Sequence, residues 1–258
     1  MNLRQFAMVA LAATLAISNA SAREVCTAIA DASTGKILLQ RGECEQRVTP
    51  ASTFKIAISL MGYDSGFLKD GHTPALPFRE GYVDWIESWK QPTDPARWMK
   101  ESVVWYSQQI TQSLGKERFA QYTKNFQFGN ADVSGDAKHD GLTLSWINSS
   151  LRISPLEQLS FLTKLVNRQL GVSQHAYDMT AELTKNGQLP GEWKLHGKTG
   201  WASDWGWYVG WASKGTRSFV FARLIKKDDA DPKDVAPGVV ARDGLIGELP
   251  ALLGSQLK

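Results

Sequence analysis

The chain has 258 residues, 29 basic and 26 acidic side chains for a net charge of +3, and 43% hydrophobic residues. That length is enough for one sizeable domain, or two interleaved lobes sharing a core, without the metal or disulfide staples that small scaffolds need. Charges of both signs mixed along the chain argue against nucleic acid as a partner.

The N-terminus carries Arg4, an apolar run from Phe6 to Ile17, and then Ala20, Ser21 and Ala22. This is the pattern of an export signal cleaved after Ala22, which sends the mature chain to the periplasm. The run is shorter than the ~20 residues that span a bilayer, and no later stretch reaches that length, so no membrane insertion is expected after cleavage. The only two cysteines, Cys26 and Cys44, flank a hairpin expected over 25–39, with the turn cluster 31–36 between its strands. An oxidising compartment favours a bridge between them, the alternative being two buried thiols.

A helix is expected from Thr49, as cap, and Pro50, at the first helical position, through Ser52 to Met61. Its body is apolar on nearly every side, which places it in the core. Further helices are expected over 102–114, 116–125 and 155–168, with no strand of comparable quality between residues 62 and 190. After Lys198 the period changes to two: Trp205, Trp207, Val209 and Trp211 share one parity, and 219–225 reads as the hairpin partner. A helix over 239–253, with Arg242 in its first turns, closes the chain. The predicted fold is therefore α/β (α+β), an antiparallel sheet flanked by helices. An α/β lobe comes from 23–61 and 190–258, an all-helical lobe from 62–189 is inserted in it, and a cleft lies at the boundary.

Ser52-Thr53-Phe54-Lys55 puts a serine and a lysine three residues apart, on one helical face. A neutral lysine there can take the serine proton, and the serine's own N–H, near the helix start, can bind an oxyanion. Ser33-Thr34-Gly35-Lys36 repeats the spacing in an ordinary turn, so burial is what singles out Ser52 and Lys55. Lys198-Thr199-Gly200 stands at the entrance to the tryptophan-rich strand, where glycine lets a substrate amide lie against the sheet edge. The four histidines, His72, His139, His175 and His196, lack ligand spacing, so no metal is expected. A Gly-x-Ser-x-Gly elbow is also missing.

Together the outer motifs resemble the penicillin-recognising serine enzymes. Ser102-Val103-Val104 and Phe128-Gly129-Asn130, in order between them, resemble the inner motifs of class D β-lactamases, the oxacillinases, although Phe128 stands where that pattern has tyrosine. The resemblance implies hydrolysis of β-lactam antibiotics through an acyl-enzyme on Ser52, and resistance to them. It implies that Lys55 is N-carboxylated, with carbon dioxide or bicarbonate as the source and no other cofactor. Trp146 would hold the carbamate and Phe54, Ile58, Val104 and Trp146 would supply an apolar setting, in which burial keeps the amine neutral. Ser102 would relay a proton, Trp201 would add a backbone oxyanion donor, and Lys198, Thr199 and Gly200 would receive the substrate, with Arg242 as charged partner. The ligand is then a small β-lactam molecule, and homodimerisation stays open. Substrate preference would depend on the loops 70–100 and 201–206. The alternatives are a penicillin-binding transpeptidase or carboxypeptidase, and a β-lactam sensor domain.

Overall fold

Residues 23–228 and 235–256 are described by the computed structural model. The expected signal, 1–22, lies outside the described residues. In chain order the elements are β1 (Arg23–Asp31), β2 (Ile37–Gly42), a 3-10 turn (Ala51–Phe54), α1 (Lys55–Asp64), α2 (Pro95–Glu101), α3 (Val104–Asn125), α4 (Gly141–Leu144), α5 (Pro155–Val166), α6 (Gln174–Leu183), β3 (Lys185–Leu189), β4 (Trp193–Ala202), β5 (Trp205–Lys214), β6 (Arg217–Lys226) and α7 (Pro237–Gln256).

The strands form one six-stranded antiparallel sheet in the order β2-β1-β6-β5-β4-β3, so the two ends of the chain meet at the β1–β6 pair. Both faces are covered, which is why the inner strands read as nearly continuous apolar runs. On β5 the alternation sorts side chains between two cores: Trp207, Val209 and Trp211 face the helices, while Tyr208 and Ala212 face α7. Helix α7 answers with Ala241, Leu245, Leu249 and Leu253, a stripe repeating every four residues. Helix α1 is buried from Lys55 through Tyr63, as expected of a helix apolar all round. Cys26 and Cys44 are joined by a disulfide, with their Cα atoms 5.0 Å apart.

Several expectations need correction. Thr49 does not cap a helix and Pro50 is not its first residue. A 3-10 turn holds Ser52, and the α-helix begins only at Lys55. Ser102 lies outside any helix, in the left-handed region (φ 61°) just after α2. A strand, β3, does occur before residue 190, as a short and largely exposed edge strand too polar to stand out by pattern. The Lys198-Thr199-Gly200 triplet does precede the tryptophan-rich strand, β5, but lies inside a strand of its own, β4, rather than at a strand entrance. The break at Gly115 (φ 74°) does divide α3 where two helices were expected. Helices α2 and α6 were not anticipated, although their caps are legible: Asp94 accepts from the Arg97 N–H and Ser173 from the Ala176 N–H. Ser33 and Thr34 bond to the Asp31 carboxylate in an ordinary turn, as read.

Candidate active site

The turn carrying Ser52 is fastened from three directions. Thr49 donates its hydroxyl to the Trp146 carbonyl at 2.8 Å and accepts the Asn148 N–H at 3.0 Å. The indole of Trp207 on β5 donates to the Thr49 carbonyl, and Gln158 on α5 donates to the Thr53 hydroxyl. Ala51 is held at φ 50°, in the left-handed region, with its N–H on the Trp146 carbonyl at 3.0 Å. A non-glycine residue in that region stores strain which the surrounding contacts must hold. The chain thus enters the turn sharply, immediately before the serine.

One turn later, Lys55 donates to Ser52 Oγ at 3.2 Å. Its side chain has no solvent exposure, and burial together with the nearby charge of Lys198 drives its pKa far below that of an ordinary lysine. Burial thus favours the neutral form of an amine placed beside a serine hydroxyl. Phe54, Ile58, Val104 and Trp146 all lie in the main core, and the rings of Phe54 and Trp146 are 5.8 Å apart. The indole N–H of Trp146 is buried and has no acceptor among the described residues. Indole is a donor only, so this is an open hydrogen-bonding position in an otherwise apolar setting.

Strand β4 forms the opposite wall. β3 pairs with it only as far as His196, so the stretch from Lys198 to Ala202 is uncovered on that side. Gly200 is pressed against the Ser52 turn: a Cβ there would stand 2.9 Å from the Pro50 carbonyl oxygen and 3.2 Å from the Thr53 nitrogen. Lys198 is 6% exposed and donates to the Thr199 carbonyl at 3.0 Å. Burial, and then repulsion from Arg242, lower its pKa to about 8.

These walls enclose a cleft of about 590 Å³ that brings together Ser52, Ser102, Val104, Thr199, Gly200 and Trp201. Lys55 and Trp146 lie beneath it in the core. Arg242 does not line this cleft. It lines a neighbouring pocket with Lys198 and Thr199, and its guanidinium bonds Asp243 at 2.7 Å. The Phe128 segment is also apart from the cleft. The Phe128 ring packs 4.8 Å from Phe54, and Asn130 ties its loop to Ser150 and Arg152.

The sequence reading did not name the apolar lips of the cleft. Trp85 (60% exposed) and Ile86 (48%) come from the loop before α2, and face Trp201 (52%), whose indole is fixed by a bond to the Ser203 carbonyl. Large apolar residues within the loops 70–100 and 201–206 were the available signal, but no period placed them on one surface.

The geometry is that of an acyl-transfer site, and the comparisons with known proteins agree. Residues 25–243 match the penicillin binding protein transpeptidase domain. The β-lactamase OXA-9 of Klebsiella pneumoniae is 44% identical, covering 96% of this chain and 97% of its own. The chain belongs to the class D β-lactamases. OXA-1 of Escherichia coli is 38% identical over 78% of this chain and 76% of its own. The crystal structure of the class D β-lactamase OXA-427 superposes with a TM-score of 0.83 at 45% identity, covering 89% of this chain and 98% of that one. The class D scaffold therefore spans both cores and the cleft beside β4.

Proposed function

We propose that this class D chain hydrolyses β-lactam antibiotics through a covalent acyl-enzyme on Ser52 and so confers resistance to them. One observation carries the reading: a fully buried Lys55, pushed toward its neutral form, sits 3.2 Å from the Ser52 hydroxyl at the floor of a cleft. Such an amine can accept the serine proton or react with carbon dioxide.

N-carboxylation of Lys55 fits the residues present, because the open indole N–H of Trp146 would gain an acceptor in a carbamate oxygen. When formed, the carbamate supplies an anionic proton acceptor next to Ser52. Ser52 Oγ attacks the lactam carbonyl, and the N–H groups of Ser52 and Trp201 stabilise the oxyanion. Ser102, at the cleft wall, passes a proton to the departing nitrogen. Lys198 and Thr199 hold the ring carboxylate, with the charge of Arg242 behind them. Deacylation then requires a water activated at the same lysine. The apolar lips Trp85, Ile86 and Trp201 favour substrates with a bulky or aromatic acyl side chain.

Export to the periplasm follows from the N-terminal signal pattern, and among the described residues no helix is long and apolar enough to cross a membrane. The deciding experiment uses residues 23–258 with a penicillin. Many turnovers per enzyme are expected, and added bicarbonate should restore activity lost at low pH. A single stoichiometric burst, leaving a stable adduct on Ser52, would overturn hydrolysis in favour of a transpeptidase or a sensor.

A further inference from the structure

A second pocket, of about 300 Å³, shares Thr199 with the cleft but does not reach Ser52. It opens where β3 stops covering β4. The β3 register shifts between Lys185 and Gln188, and the Gly197 N–H turns to the Thr184 carbonyl. Among the described residues, four that line it are cationic, Lys100 near the end of α2, Lys185 on β3, Lys198 on β4 and Arg242 on α7, and none is acidic. The Tyr208 hydroxyl, held by the Asn186 amide at 2.7 Å, adds a polar surface.

Four cations lining one pocket repel each other unless anions intervene. Lys185 pairs with Glu182 and Arg242 with Asp243, both on exposed carboxylates that do not line the pocket. Among the described residues Lys198 has no carboxylate partner. Its ammonium bonds the Thr199 carbonyl and hydroxyl, and the charge acting on it is that of Arg242. A buried cation without a counter-charge is costly, so this pocket gains from any anion that enters. A ring carboxylate, three heavy atoms held at Lys198 and Thr199, would fill only part of a pocket of this volume.

We propose that this pocket is a second anion subsite, in which Lys100 and Lys185 receive an oxyanion beyond the one held by Lys198 and Thr199. The subsite rests on the reading of Lys198 and Thr199 as the carboxylate cradle. The oxyanion is either an acidic group that the substrate carries on the carbon beside its ring carboxylate, or a free ion of phosphate type.

The test compares the wild-type chain with the Lys100→Gln, Lys185→Gln double variant, whose exposed side chains are not needed for folding. In the first arm, inorganic phosphate is titrated by calorimetry without substrate. Saturable binding is expected, weakened about fivefold to tenfold in the variant, the size expected from losing two exposed charge contacts. Equal phosphate binding by both proteins, or none by the wild type, overturns the subsite. In the second arm, KM is measured for a cephalosporin with an acidic C3 substituent and for its neutral counterpart. A KM rise of similar size confined to the acidic compound assigns the subsite to the substrate, whereas equal KM values in the two proteins alongside weakened phosphate binding assign it to a free oxyanion. Because the first arm needs no turnover, failure of the hydrolysis reading would show in the second arm alone.

Discussion

Three aromatic rings pack on Phe54, those of Phe119, Phe128 and Trp146, and only Trp146 carries a hydrogen-bond donor. Phe128 contributes packing alone, whereas Trp146 adds a buried N–H with no acceptor among the described residues. Trp146→Phe keeps most of the ring volume and removes the donor. Single-turnover kinetics should show deacylation slowed roughly tenfold or more beyond any loss in acylation, the scale of removing a hydrogen bond to a charged group. Equal losses in both steps would assign Trp146 to packing. Lys198 makes a second prediction at this scale. With a pKa of about 8 it is charged below that pH and neutral above it, so kcat/KM should fall as pH rises through about 8. Arg242 lowers that pKa by repulsion, so Arg242→Gln should move the alkaline limb to higher pH while it raises KM. A pH profile with an unmoved limb would show that Lys198 does not set it.

At the scale of elements, the cleft depends on how closely β4 approaches the turn before α1. Gly200 permits that approach because a Cβ would collide with the backbone of Pro50 and Thr53. Gly200→Ala must push β4 away from Ser52 by a few tenths of an ångström. Catalysis should drop by roughly tenfold to a hundredfold, since small misplacements of reacting groups are expensive. Circular dichroism should stay that of the wild type, because the two cores are untouched. Wild-type kcat/KM in this variant would mean that the turn and strand are not held in register by this contact. The glycine was visible in the sequence as part of a triplet, but its neighbour across the cleft was not. A spacing of about 150 residues says nothing about which backbone atoms meet.

Across the whole molecule, the chain ends are joined by an ionic network on the α7 side of the sheet. Arg41 on β2 bonds Glu24 on β1 and Glu248 on α7, and the buried Arg223 on β6 reaches Glu248 at 2.9 Å. Burial works against both carboxylates, but hydrogen bonds from Arg41, with Arg223 close by, hold both below their ordinary value of 4.5. A carboxylate with a lowered folded-state pKa stabilises the fold above its unfolded value and loses that contribution as pH falls through the folded one. Thermal midpoints should therefore fall as the pH drops below about 4.5. In Glu248→Gln the fall should be shallower from a lower starting point. An unchanged slope in that variant would remove the network from the acid response.

The elements with strong local signals were legible along the chain. The all-apolar helix after Ser52, the period-two tryptophans of β5 and the Ser-x-x-Lys and Lys-Thr-Gly motifs are each written within a few residues, where side-chain period and type suffice. The sequence also supported the cysteine pairing, through two residues placed across one hairpin. The rest depends on contacts between distant segments. The 3-10 turn replaced a capped helix because Thr49 and Ala51 bond to the Trp146 carbonyl, from a loop nearly a hundred residues away. Strand β3, polar and exposed, exists because β4 offers it an edge. The division between a cleft containing Ser52 and a cationic pocket containing Arg242 arises because the β3–β4 pairing ends at His196 of β4, leaving Lys198 and Thr199 open between them. Such contacts join residues far apart in the chain, and no local period encodes them.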